Sequence, residues 1–306
     1  MDRKEIIEAI VQKYSQLGEN PDTYLQGLLH AKPITYWDYI QVDTLLSLQN
    51  PRTPFVDEEI FIIYHQVTEL VLKLISHEIK QICGECSPTE AEVGERITRA
   101  NRYTSMLITS FAVMKDGMDY DDYNTFRLSL APASGFQSVQ FRQIELMCTR
   151  LPNLINSEGR KRMPAYPSIE DYFEHIYWRD AGMDRATGKK TLTLEQFESR
   201  YKPGLVQLAH QMQGNTLEEK VAALHALSPE LKEKLKRFDR FYNIEWPKVH
   251  LQTARHYLDA KGEEKAATGG SAWKRYLHPM YQQRKFFPSL YTAQELQDWG
   301  RDDKEG

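Results

Sequence analysis

From Phe61 to Ile75 the chain reads Phe-Ile-Ile-Tyr-His-Gln-Val-Thr-Glu-Leu-Val-Leu-Lys-Leu-Ile, a helix apolar on nearly every side that still carries His65, Gln66 and Glu69 in its middle. A helix hydrophobic all round belongs in a protein interior. A polar group buried there costs roughly 2–7 kcal/mol unless it finds a partner. The segment therefore calls for a large core around it, and for a reason that this core should hold a histidine.

The 306 residues are enough for such a core, in one large domain or two ordinary ones. Lys and Arg number 39 against 43 Asp and Glu, a net charge of -4 without a dense basic run, so the electrostatic footprint of a nucleic-acid binder is missing. No apolar run approaches about 18 residues, and the first residues lack the apolar stretch of a targeting peptide. The reading is a cytoplasmic protein with no membrane segment. Three cysteines, Cys83, Cys86 and Cys148, are too few for a disulfide framework. Cys83 and Cys86 form a C-x-x-C, but a structural zinc site needs a second ligand pair that the chain does not offer.

Helical periodicity recurs along the whole sequence. Ile6, Ile7, Ile10, Val11 and Tyr14 share a face over 2–17, with Gly18 and Pro21 as stops. A loop through Pro33 leads to a helix over 36–49, then to the apolar helix over 58–81 with Asp57 as its N-cap. Helices are predicted over 89–115 and 121–130, and another begins at Ser134, where Gln137 completes a capping-box pattern. The stretch 152–190 is irregular and rich in proline, with a helical piece near 169–179. Helices resume over 194–213 and 216–226. A long one runs from Ser228 to about Ala260, started by Pro229 and disturbed by Pro247 near its middle. No window alternates as a strand does. The expectation is an all-α, bundle-like single domain over 1–306, with an N-terminal helical arm at 1–33 and an accessory helical insertion at 152–227.

Few residues can carry chemistry. His30, His175, His210 and His225 sit in polar or boundary contexts that suit solvated side chains. His65 shares a face with Phe61, Thr68 and Leu72, and is either a functional group or a neutral core histidine bonded to a backbone carbonyl. Glu69 and Lys73 can pair at i,i+4. His250 lies three residues after Pro247 with Trp246, Val249 and Leu251 about it, a structural histidine or an axial ligand for haem. Tyr123 and Arg127 share a face of a short helix. The Arg127 fork suits a carboxylate, and a pairing with Asp121, Asp122 or a neighbouring helix accounts for it equally. Thr268, Gly269, Gly270 and Ser271 make a flexible hinge or a lid.

Taken in order, Tyr36 to Tyr39, Phe61 to Leu70, Phe126-Arg127 with Ala131 to Ser138, and Ala267 to Ser271 resemble the tryptophan 2,3-dioxygenases over about residues 34–290. The resemblance implies an all-helical homotetramer with haem b in its core, inserting both atoms of O2 across the indole C2–C3 bond of L-tryptophan to give N-formyl-L-kynurenine. It implies His250 as the axial ligand of the haem iron and His65 as the distal histidine near the indole nitrogen. Phe61, Tyr123 and Phe126 would wall the indole pocket, Arg127 would clasp the substrate carboxylate, and Thr268 would meet the amino-acid end. Tyr36 and Tyr39 would come from a neighbouring subunit, with Ser134 and Gly135 beside the haem. This chain departs from the family pattern at Val71, where many relatives carry an aromatic residue, and at Ser271 to Trp273, where others are richer in glycine. A longer segment about 261–265 leaves His256 as the alternative ligand. Two other readings share the histidines: a haem monooxygenase of the same superfamily acting on an indole or phenol amino acid, and a non-catalytic sensor.

Overall fold

A computed structural model describes residues 1–184, 187–224, 226–259 and 273–301. Among these the fold is all-α, as the periodicity predicts. The β pairing among them is confined to two isolated bridges, Ile155 with Ile176 and Met183 with Lys190. The chain divides into two compact units, Met1–Asn50 and Pro51–Gly306.

The first unit holds four helices: α1 (Arg3–Gln16), α2 (Pro21–His30), α3 (Tyr36–Ile40) and α4 (Val42–Leu45). Asp2 and Glu5 close a capping box on α1. Pro21 does not merely stop α1. With Asn20 as N-cap it starts α2, in a stretch where the glycine and proline signals predict a loop. The helix predicted over 36–49 is two pieces, because Gln41 adopts φ 56° and a left-handed residue cannot continue a right-handed helix. None of the residues of α1 to α4 is buried. The unit extends to Asn50, beyond the arm drawn at 1–33.

The second unit is built on α5 (Asp57–Gly84) and α6 (Glu90–Asp116), joined by a short connection and packed as a hairpin. Thr89 and Glu92 box the start of α6. Next come α7 (Tyr120–Phe126), which tightens to a 3₁₀ turn over Arg127–Leu130, and α8 (Val139–Cys148). The predicted Ser134–Gln137 box is present but caps a single 3₁₀ turn, and Ser138 is the N-cap of α8. The irregular stretch carries α9 (Ser157–Arg162), α10 (Ile169–His175) and α11 (Tyr177–Ala181), followed by α12 (Leu192–Met212) and α13 (Leu217–Ala222). Ile169, Phe173 and Trp178 form a core of their own with Leu194, Phe197 and Leu205 of α12.

The long C-terminal helix is α14 (Pro229–Arg240) and α15 (Trp246–Leu258), joined without a break by a π-turn at Phe241–Glu245. Pro247 has no N–H to donate, and the ladder accommodates the disturbance by widening just before it: Trp246 N–H donates to the Phe241 carbonyl five residues back. Three short helices end the unit, α16 (Trp273–Leu277), α17 (Pro279–Gln282) and α18 (Ala293–Gln297). The main core joins α5, α6, α8, α13 and α14, and Val71, at 4% exposure, is part of it. One expectation fails. Ile63, Leu70 and Leu74 lie on one stripe of α5 and are exposed, so this chain does not cover the helix on every side.

Candidate functional site

Within the second unit the helices enclose a cavity of about 970 Å³, at the upper end of the range for small-molecule pockets. Phe61, His65, Thr68 and Leu72, the four residues that helical spacing puts on one face, all line it. Tyr123, Ser134, Gly135 and His250 line it as well.

The His65 Nδ1 lies 2.7 Å from the Phe61 carbonyl, one turn earlier. A carbonyl only accepts, so Nδ1 carries the proton and the neutral ring keeps its lone pair on Nε2. Burial lowers the pKa of His65, against the opposing pull of the Phe61 bond and the Glu69 charge, so the ring is neutral near pH 7. The structural and functional readings of His65 are therefore compatible: it bonds a backbone carbonyl and faces a cavity.

His250 stands on α15, its ring stacked 5.5 Å from Phe111 on α6. By surface area it is exposed, yet it sits deep in the fold, because the free surface faces the cavity instead of bulk solvent. Burial, with the proximity of His65 as the second cause, lowers its pKa to about 4. Two neutral histidines from two helices thus share one space, which spacing alone could not establish. His256, the alternative ligand, is exposed, packs against Tyr120 and Tyr257, and lies off the cavity wall.

Aromatic rings close the end near His65. Phe61 lies 4.1 Å from the His65 ring, 6.1 Å from Tyr123 and 5.8 Å from Phe126. Phe126 is buried behind Phe61 and Tyr123 and does not line the cavity itself. Arg127 is also buried off the wall, and its Nε donates to Asn124 Oδ1 at 3.2 Å. Glu69 faces the cavity and bonds across to α8, accepting from Gln140 Nε2 at 2.7 Å. Its expected partner Lys73 is exposed and makes no ion pair with it. A methyl group added at Gly135 would meet no protein atom within 4 Å, so bare backbone borders open space there.

The cavity lining also includes a cluster that no spacing in the sequence brings together. Arg142 and Glu145 of α8, Tyr177 of α11 and Arg284 are all buried. Arg142, Tyr177 and Arg284 line the cavity. Arg142 Nη1 donates to the Tyr177 hydroxyl, and that hydroxyl donates to Glu145 Oε1, each at 2.5 Å. Arg284 Nη1 bonds the same Oε1. The available signal is an Arg and a Glu three residues apart on a helix with no other charged residue.

Tyr36 and Tyr39 belong to the first unit and are 72% and 75% exposed. Thr268, with the whole of Ala267 to Ser271 and the 261–265 segment, lies outside the described residues, as does His225. Among the described residues no three His, Cys, Asp or Glu side chains converge as a metal site.

A family profile described as tryptophan 2,3-dioxygenase matches residues 26–227. Proteins named tryptophan 2,3-dioxygenase from a Ruegeria species and from Herpetosiphon aurantiacus are 27% and 29% identical, each over 86% of this chain and over 92% and 98% of their own lengths. One from Bacillus thuringiensis is 26% identical over 90% of this chain and 99% of its own.

Proposed function

The chain belongs to the tryptophan 2,3-dioxygenase family, and from that premise we propose that it holds haem b in the cavity between His65 and His250 and acts there on L-tryptophan and O2. The reaction is insertion of both oxygen atoms across the indole C2–C3 bond, giving N-formyl-L-kynurenine. The observation that carries the site assignment is the pair of neutral histidines facing one cavity from α5 and α15.

The residues fit a haem. No hydrogen bond from a described residue engages the His250 ring, so a nitrogen lone pair is available to iron. The bare backbone at Gly135 leaves room for a flat group beside Ser134. Arg142 and Arg284 line the same cavity and share one carboxylate, which leaves an excess of positive charge that suits the acidic side chains of a porphyrin. When bound, haem supplies the activation of dioxygen, and the protein supplies the slot and the orientation.

His65 positions the substrate. Its Nδ1–H is committed to Phe61, so Nε2 serves as an acceptor for the indole N–H, a role that needs no removal of a proton from carbon. Phe61 and Tyr123 exclude water from the indole, and Phe126 braces them. Arg127, held by Asn124 just behind this aromatic layer, is assigned to the substrate carboxylate, and Thr268 to the amino-acid end.

Tyr36 and Tyr39 are assigned to the site of a neighbouring copy in a homotetramer. What supports association is unburied apolar surface: Ile6, Ile7, Val11, Leu28, Leu29 and Trp37 in the first unit, and Ile63, Leu70 and Leu74 on α5, are exposed. No described helix is long and apolar enough to cross a membrane, and all three cysteines are free thiols, in keeping with the cytoplasm.

The test is direct. The haem-loaded protein, reduced and given L-tryptophan and air, is expected to produce N-formylkynurenine absorbance and a product two oxygens heavier than the substrate. A product one oxygen heavier assigns the chain to monooxygenase chemistry, and no turnover across indole substrates defeats the catalytic reading.

A further inference from the structure

The charged wall supports a finer statement, which rests on the haem reading. Arg142 and Arg284 are buried around one carboxylate, Glu145, which is 0% exposed. Such a group of three carries one net positive charge on largely buried side chains, and a buried charge without a counter-charge is strongly unfavourable.

Glu145 is not shared evenly. Its Oε1 takes the Arg284 Nη1 bond and the Tyr177 hydroxyl at 2.5 Å, while Arg142 Nη1 stands 3.5 Å from Oε2. Arg284 is engaged on every nitrogen: besides the Nη1 bond, Nε donates to Gln282 Oε1 at 2.8 Å, Nη2 reaches the Tyr242 carbonyl at 3.5 Å, and the guanidinium lies over the rings of Phe141, Tyr177 and Tyr242. The short bond made by Arg142 goes to a neutral hydroxyl, its Nη2 lies 3.5 Å from the Phe136 carbonyl, and its guanidinium is stacked over rings that include Phe136 and Trp178, so its nearest full counter-charge is the Glu145 oxygen at 3.5 Å. The other carboxylates bordering the cavity are engaged elsewhere: Glu69 by Gln140, Asp180 by Asn156 and Arg162, Glu158 by Lys161. Arg284 is itself fixed in place, because Asp239 of α14 accepts the backbone N–H groups of Phe286 and Phe287 at 2.9 and 3.0 Å.

We propose that Arg284 is a positioning residue that sets the charge of this wall: by taking Glu145 for itself, it leaves the positive charge of Arg142 available to a carboxylate of the cofactor. Without Arg284, Arg142 closes onto Glu145 and the wall becomes neutral. Cofactor retention then depends on the net charge of the cluster, whichever side chains compose it.

The experiment titrates the full-length apoprotein with ferric haem and with haem dimethyl ester, which lacks both carboxylates. The parent is expected to bind haem more tightly than the ester. Arg284→Met is expected to bind haem roughly tenfold more weakly or worse, the order set by one unit charge several ångströms away at an effective dielectric near 20, with ester binding unchanged. Adding Glu145→Gln to Arg284→Met restores the positive charge and is expected to recover haem binding. A merely structural role predicts that the second substitution makes matters worse, and that haem and ester affinities fall together; either result overturns the proposal. If Arg284→Met loses its helical circular dichroism, Glu145→Gln alone decides. Haem affinity at or above the parent's supports the proposal, and a drop overturns it. A parent that binds both compounds equally overturns this inference alone, whereas one that binds neither defeats the haem reading with it.

Discussion

Where α5 and α15 wall the cavity, two histidines are held neutral by burial and the one carboxylate, Glu69, is bonded by Gln140; where α8, α11 and the Arg284 segment wall it, two guanidinium groups gather about one carboxylate. Both walls lie in the same fold and face the same space. The first offers lone pairs and aromatic faces, which suit a metal and an uncharged ring. The second offers fixed charge, which suits acids. The two sets of groups together suit a guest with a flat neutral part and an acidic part.

The largest test of the neutral wall is His250→Ala. It is expected to abolish the normal haem spectrum, and an unchanged spectrum would remove His250 from the iron. His65→Ala is expected to keep haem while weakening L-tryptophan affinity and turnover by roughly tenfold, about the worth of one hydrogen bond; complete loss of haem in that variant would reassign the residue.

Acid titration sharpens the same contrast. The pKa of His250 is lowered from an ordinary 6.5 to about 4, so between those values the unfolded chain binds a proton that the folded chain does not. This contribution is complete above about pH 6.5 and is lost as the pH falls toward 4. Buried Asp239, raised to about 6, acts in the opposite sense, since its folded form takes up the proton first and its contribution falls as the pH rises toward 6. The parent and His250→Ala apoproteins, compared by urea midpoint across that window, isolate the histidine: the loss on acidification is expected to be shallower in the variant, and parallel curves would contradict its burial.

The smallest effect is expected at Gly135→Ala. The added methyl group meets no protein atom, so apoprotein stability is expected to shift by no more than about 0.5 kcal/mol while haem affinity falls. A variant that binds haem as the parent does would show that nothing lies against that backbone.

Much of the neutral wall is legible along the chain because it is local. Phe61, His65, Thr68 and Leu72 follow from helical spacing, and Pro247 announces a disturbance that the π-turn fulfils. The charged wall is not legible, because Arg284 reaches Glu145 across 139 residues and no periodicity joins them. That His250 and His65 share a space is likewise a tertiary fact. Local chemistry is ambiguous at Pro21, a stop signal that Asn20 before it turns into a start, and at Gln41, whose left-handed conformation has no side-chain signature. The apolar stripe of Ile63, Leu70 and Leu74 misleads for another reason: hydrophobicity records that a surface is to be covered, and is silent on whether the same molecule covers it.

A π-turn fits one more residue between two points of a helix than the α-helical ladder would, without moving either end. Phe241–Glu245 separates Asp239, which grips Phe286 and Phe287, from His250, which faces the cavity, and neither end has given up its partner. Alignments of distant relatives are therefore expected to open a one-residue gap at this turn, and the count from grip to histidine can drift by one while both anchors stay where they are.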